Sequence, residues 1–223
     1  YSASKLAQIE FPDLHVEERS AVSIARRLID PLSELVKIEP KSIGVGMYQH
    51  DVSSKKLDEE LTFVVSTAVN SVGVNVNTAS RELLSYISGL NKKMIDKLME
   101  YKKKVGNILT RKELKKVFSD KVYEQAIGFL RVSEGSNILD KTSIHPESYS
   151  VALKLLEKIN LSLEDIGTET MKKALENVNI DVFAKELNTD IYTLEDIMKS
   201  FISPFRDPRD EIAAPLLKKD VLT

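Results

Sequence analysis

Two short runs of apolar residues at helical spacing, joined by four residues that include a glycine and an asparagine, constrain this chain more than any other feature. Leu83, Leu84 and Ile87 form one stripe, Ile95, Leu98 and Met99 form the next, and Ser88-Gly89-Leu90-Asn91 lies between them. Spacings of three and four residues place such side chains on one face of a helix. A connection this short turns the second helix back against the first. Gly89 can enter the left-handed region at no steric cost. Leu90 can plug the gap between the helices, and Asn91 can cap the helix that starts at Lys92.

The start of that second helix suits an anion. The first N–H groups of a helix have no partner within it and carry the positive end of its dipole, so they can hold a phosphate oxygen. Lys92 and Lys93 stand there, and Lys97 lies one turn on from Lys93. Leu-Leu-x-x-Ile-Ser-Gly-Leu-Asn-x-x-x-Ile-x-x-Leu is a helix-hairpin-helix pattern. A second hairpin is expected between Leu109-Thr110-Arg111-Lys112-Glu113-Leu114 and Tyr123-Glu124-Gln125-Ala126-Ile127. Its turn, Phe118-Ser119-Asp120-Lys121-Val122, has no glycine, and Asp120 would repel a phosphate. The first hairpin is therefore expected to bind and the second mainly to pack, with Arg111, Lys112, Lys115, Lys116 and Lys121 adding diffuse attraction. The candidate nucleic-acid-binding residues are these five together with Ser88, Gly89, Leu90, Asn91, Lys92, Lys93 and Lys97. With Asn75-Val76-Asn77-Thr78-Ala79-Ser80 ahead of it, the run resembles the tandem helix-hairpin-helix domains of bacterial DNA-uptake competence proteins. That resemblance implies two hairpins packed side by side against a sugar-phosphate backbone.

The net charge of −2 conceals an uneven distribution. Residues 75–133 hold 13 Lys and Arg against 6 Asp and Glu, whereas residues 1–74 hold 8 against 11 and residues 134–223 hold 11 against 17. A basic island between acidic flanks is the footprint of a polyanion-binding module. Neutralising phosphates releases counterions, so affinity should fall steeply with salt. Lysine outnumbers arginine, the commoner reader of guanine edges, and aromatic residues are too sparse for a stacking platform. The expected partner is nucleic-acid backbone, bound without regard to sequence, and the residues do not separate DNA from RNA. A second class of function also fits, a helical protein-interaction scaffold in which the acidic region 134–203 docks a partner and the hairpins are structural.

The rest of the chain reads as mainly α, a tandem helix-hairpin-helix module flanked by helical segments. Helices are expected over 15–29 and 31–36, with Asp30 and Pro31 as cap and first residue. A longer helix should run from Ser53 or Ser54 to about Ser71 and stop at Gly73. Ile43 to Tyr48 is the one stretch that reads as extended, and its Gly44-Val45-Gly46 lacks the surroundings of a dinucleotide fingerprint. Residues 134–145 read as a polar, turn-rich joint, followed by helices near 147–159, 162–177, 180–187 and 190–202. These shifts suggest domains at 1–74, 75–133 and 134–203, with 204–223 as a connector. A hydrophobic share of 42% fits a folded chain. The lack of cysteine points to a reducing, cytoplasmic setting. No apolar run approaches the roughly 20 residues that span a bilayer. Neither a signal peptide nor a starting methionine is present, which fits a processed product or a fragment.

His15, His50 and His145 are far apart and lack ligand spacing. Tyr48-Gln49-His50-Asp51 reads as a hydrogen-bonded turn, and the carboxylates as solvated helix faces. No catalytic residue, metal, cofactor or small-molecule substrate is expected.

Longer blocks carry a narrower resemblance. Tyr1-Ser2-Ala3-Ser4, Phe11-Pro12-Asp13-Leu14, Ala21-Val22-Ser23-Ile24-Ala25-Arg26-Arg27-Leu28, Pro40-Lys41-Ser42-Ile43-Gly44-Val45-Gly46, Tyr48-Gln49-His50-Asp51-Val52, His145-Pro146-Glu147-Ser148-Tyr149 and Asp207-Pro208-Arg209-Asp210 resemble the Tex family of bacterial transcription accessory proteins. The resemblance implies a modular helical protein with the transcription machinery among its partners. It also implies that residues 1–74 close a YqgF-like, ribonuclease-H-like domain whose main part lies upstream, with an OB-fold RNA-binding module downstream.

Overall fold

The computed structural model describes residues 1–43 and 47–204, without the side chains of Met47 and Tyr48. The readings made for Gly44-Val45-Gly46, for Asp207-Pro208-Arg209-Asp210 and for a connector beyond Pro204 lie outside the described residues. Among those described, the protein is α-helical with one pair of two-residue strands, as the helical periodicity implies. It forms two compact units, Tyr1–Pro146 and Glu147 onward.

The first unit opens with α1 (Lys5–Glu10), which the periodicity does not announce; Ser4 starts it by accepting the N–H of Ala7 at 3.1 Å. Helix α2 (Val16–Ile29) is followed directly by α3 (Pro31–Leu35). Asp30 caps α3 as expected, accepting from the N–H of Ser33 at 3.0 Å and from its hydroxyl at 2.6 Å. The extended segment expected from Ile43 is not found in the described residues. Turns of 3-10 helix occupy Pro40–Ile43 and Met47–His50. Pro40 sets the backbone angle that starts the first of them, and Ser42 N–H closes it on Glu39 at 2.8 Å. Helix α4 (Ser54–Val72) ends at Gly73, whose φ is +80°. Residues with a Cβ rarely adopt that backbone angle, and the Arg131 guanidinium, 2.7 Å from where the Cβ would stand, would also have to shift.

Strand β1 (Val74–Asn75) then leads into the hairpins, α5 (Arg81–Leu84) with α6 (Lys92–Val105), and a 3-10 stretch at Arg111–Lys116 with α7 (Asp120–Ala126). Strand β2 (Leu130–Arg131) returns to pair with β1 in parallel, Val74 opposite Leu130 and Asn75 opposite Arg131. Both hairpins share one core. Leu83, Leu84, Ile87, Ile95 and Leu98 from the first pack with Leu114, Phe118, Tyr123 and Ile127 from the second, and Val69 of α4 lies in the same cluster. Full burial of one such aliphatic side chain is worth about 1.5–3 kcal/mol, so the α4 terminus is fastened to the hairpins by packing.

Two polar clusters close the loops around this core. Asn77 exchanges hydrogen bonds with the backbone of Ile108, donating to its carbonyl at 2.8 Å and accepting its N–H at 2.9 Å. Glu134 accepts from the amides of Asn75 at 3.0 Å and Asn77 at 2.5 Å. Burial pushes the Glu134 carboxyl up, but those amide bonds outweigh it and hold the carboxyl below its ordinary range. Residues 134–145 are turn-rich, with a 3-10 turn at Ile138–Lys141 whose Asp140 is buried against the second hairpin.

The second unit contains α8 (Tyr149–Lys158), α9 (Glu169–Glu176), α10 (Ile180–Leu187) and α11 (Ile191–Ile202). Their apolar stripes meet in a core that includes Leu155, Met171, Leu175, Leu194 and Phe201. Side chains of Thr168, Asn179 and Asp190 cap the last three helices.

Candidate nucleic-acid interface

The first hairpin turn takes the form its residues require. Gly89 has φ +88°, and Asn91 caps α6 by accepting the N–H of Met94 at 3.1 Å. Ile95 N–H reaches the Asn91 carbonyl at 3.0 Å. The N–H groups of Lys92 and Lys93, at the start of α6, make no hydrogen bond among the described residues. Lys92, Lys93 and Lys97 are all exposed. An uncharged cap, free N–H donors and three cations at the head of a 14-residue helix thus lie together. Leu90 is half-buried against the shared core, as a plug between helices should be. Arg81 of α5 pairs with Asp96 of α6 and ties the two helices across the turn.

The turn is held from two sides. On one side Gly89 presses on α7: a Cβ there would lie 2.8 Å from that of Gln125 and 3.4 Å from the backbone N of Ala126. Gly89 is thus needed for close packing as well as for its backbone angle. On the other side stands α4. The Ser88 N–H donates to Asn70 Oδ1 at 3.2 Å, and the Ser88 hydroxyl accepts from Asn70 Nδ2 at 3.1 Å. Asn70 Nδ2 also lies 3.2 Å from the Tyr86 carbonyl, which accepts the Ser66 hydroxyl at 2.7 Å. Reasoning confined to the hairpin misses Ser66 and Asn70. Their signal is a polar pair four residues apart on the side of α4 that also carries Val65 and Val69.

The second hairpin joins the 3-10 stretch at Arg111–Lys116 to α7 through a turn without glycine. Lys112, Lys115, Lys116 and Lys121 are exposed, and Lys115 Nζ sits 5.0 Å from the centre of the Tyr123 ring. Lys121 lies one turn before Gln125 on α7 and so on the same side of that helix as the Gly89 contact. Arg111 corrects the expectation of a surface cation. It is 1% exposed, and its guanidinium donates to the carbonyls of Leu130 at 2.8 Å, Thr142 at 2.6 Å and Ile144 at 2.7 Å. Its backbone N–H donates to buried Asp140 at 3.1 Å. A planar fork of five donors suits that cluster of carbonyls, which a lysine could not satisfy. Further along α6, Lys102 reaches the Ala79 carbonyl at 3.3 Å, and burial lowers its pKa.

The second unit holds a turn of related form and opposite charge. Asn188, in the left-handed region at φ +52°, follows α10, and Asp190 caps α11 by accepting the N–H of Thr193 at 2.8 Å and its hydroxyl at 2.6 Å. Those bonds hold the Asp190 carboxyl below its ordinary range. A carboxylate cap with no lysine in the first turn disfavours a phosphate there. Of the histidines, His15 precedes α2 and its N–H donates to Glu18 at 2.7 Å, while a ring nitrogen of His145 lies 3.2 Å from the Glu124 carbonyl. Among the described residues no three His, Cys, Asp or Glu side chains are grouped to hold a metal ion. Among the same residues, no helix is long and apolar enough to cross a membrane.

Comparison with known proteins agrees with this geometry. A helix-hairpin-helix motif model matches residues 69–131, so it takes in Val69 and Asn70 of α4 as well as both hairpins. An HHH domain model matches residues 137–209, a region whose helices the periodicity alone does not resolve into a hairpin. A Tex protein YqgF-like domain model matches residues 1–29. An uncharacterized Bacillus subtilis protein, YdcI, is 57% identical over all of this chain and 31% of its own length. Protein tex of Bordetella pertussis is 45% identical over the full chain and 28% of its own length. Transcriptional accessory protein Tex of Neisseria gonorrhoeae is 46% identical over 94% of this chain and 28% of its own length. The chain thus spans about three tenths of the relatives it matches, and with those relatives and family models aligned along it, it belongs to the Tex family.

Proposed function

We propose that this chain binds the backbone of nucleic acid, without reading sequence, as one module of a transcription accessory factor. The observation that carries the reading is the head of α6, where the unpartnered N–H groups of Lys92 and Lys93 share an exposed surface with Lys92, Lys93 and Lys97 beyond a neutral asparagine cap. A phosphate there would meet fixed N–H donors, the positive end of a long helix and mobile ammonium groups. Lys112, Lys115, Lys116 and Lys121 would add attraction that depends on charge more than on geometry. Arg111 takes no part, because its donors are spent inside. The relatives named for transcription support the cellular setting, and residues 75–133 would be the module that makes contact.

The test is a titration of fluorescein-labelled duplex and single strands with the chain at two salt concentrations, beside a variant carrying Lys92→Glu, Lys93→Glu and Lys97→Glu. The parent should bind at low salt, weaken steeply as salt rises, and bind unrelated sequences alike. The triple variant should lose at least about tenfold in affinity, which corresponds to about 1.4 kcal/mol. Binding absent at low salt, or untouched by the three changes, would sink the reading and favour a role of the hairpins in protein contact.

A further inference from the structure

We propose that Asn70 of α4, outside the hairpin itself, is a positioning residue that sets the hairpin turn in its binding form; this rests on the function proposed above. The argument is one of valence. Asn70 accepts from the Ser88 N–H at 3.2 Å through Oδ1, while its Nδ2 lies within 3.2 Å of the Tyr86 carbonyl, the Ser88 hydroxyl and the Ser66 hydroxyl, and 2.8 Å from the Ser66 carbonyl. A side chain at this position must accept on one atom and donate on another. A primary amide of this length does both; a carboxylate lacks the donor and an aliphatic group lacks each. Ser66, one turn earlier, adds the second bond to the Tyr86 carbonyl at 2.7 Å.

The consequence reaches the anion site through the chain. Ser88 stands three residues before the cap Asn91, so clamping Tyr86 to Ser88 fixes where the chain enters α6. The clamp also decides which donors remain available. Ser88, expected among the phosphate contacts, has its N–H taken by α4 and its hydroxyl turned to the same residue. The Ser88 N–H is thereby withdrawn from a phosphate, while the N–H groups of Lys92 and Lys93 at the head of α6 make no hydrogen bond among the described residues. Across the turn the Gly89 contact with Gln125 blocks movement the other way. With α4 bonded on one side and α7 packed on the other, the turn is preset before any ligand arrives, and preorganised donors bind more tightly than donors that must be ordered.

The experiment compares the full chain with Asn70→Ala and Ser66→Ala in the same titration, together with amide hydrogen exchange and thermal unfolding. Asn70→Ala should weaken binding about five- to twentyfold while leaving the slope of log affinity against log salt unchanged, because no cation is removed. Ser66→Ala should show a smaller loss in the same direction. Amide exchange should quicken at Ser88 and stay slow at Leu98 and Ile127. Parent-like affinity for Asn70→Ala, with the Lys92, Lys93 and Lys97 changes still weakening binding, overturns the positioning role and leaves the function standing. A loss of affinity accompanied by general unfolding or by a shallower salt slope also overturns it. If the parent itself does not bind, the function fails, and unchanged exchange at Ser88 would then remove the clamp as well.

Discussion

Arg111 is a basic residue that does the work of a core residue. Its guanidinium joins the end of the second hairpin to three carbonyls between Leu130 and Ile144, and it is the largest fully buried side chain of the chain's described part. Replacing it with methionine would keep the apolar stem but take the guanidinium donors away from those buried carbonyls. An orphaned buried polar group costs about 1–3 kcal/mol, so Arg111→Met should lower the stability of the first unit by at least about 3 kcal/mol, measured by urea unfolding. Wherever the variant stays folded, its binding to nucleic acid should match that of the parent; a selective loss of binding with stability intact would return Arg111 to the interface. The contrast with Gly89 and Asn91 shows what was legible in advance. Their tasks, a positive φ and a helix cap, are local, and the neighbouring residues reveal them. Arg111 bonds to residues 19 and 33 positions away and Asn70 to one 18 positions away, distances at which charge pattern and periodicity carry no information.

At the level of elements, the strength of the apolar stripes decided what could be read. Helices α2, α4, α6 and α11 follow from spacing, and the positive φ of Gly89 is legible in the glycine of the first turn. Short pieces escaped, because α1 and the 3-10 turns at Pro40–Ile43 and Met47–His50 hold too few apolar positions to show a period. The parallel strands escaped for the same reason, being two residues each. The clasp beside them makes a pH test. The Glu134 carboxyl is held below its ordinary range by the amides of Asn75 and Asn77. A carboxylate whose pKa falls on folding contributes fully above its unfolded value, near 4.3, and loses that contribution as pH drops through the folded value. Glu134→Gln should therefore be less stable than the parent at pH 7, and the gap should close below about pH 4. A gap independent of pH in thermal melts would show that the carboxylate charge is irrelevant.

On the scale of the molecule, charge and packing separate the two units. The first carries the basic island, while residues 147–204, among the described part of the second, hold 6 lysines against 11 acidic residues. Each has its own core. Leu155 is fully buried in the second unit, and Leu155→Ala should destabilise it by about 2–5 kcal/mol. Circular dichroism should show the early loss of part of the helical signal on heating. Affinity for labelled nucleic acid at temperatures where the first unit is intact should not change; an equal fall in both would mean that the second unit takes part in the grip.

The pairing of β1 with β2 has a mechanical meaning as well as a structural one. The chain enters the hairpins through Val74–Asn75 and leaves through Leu130–Arg131, and the two segments lie side by side in the same direction. Tension along the polypeptide would drag these strands lengthwise past each other, loading their hydrogen bonds at once instead of opening them in turn. The hairpins lie inside that closed loop, so a pull enters them along the backbone only after the strap parts. A pull through the chain would thus meet the strap and the contacts of α4 with the turn before it could unfold the backbone that leads to the head of α6.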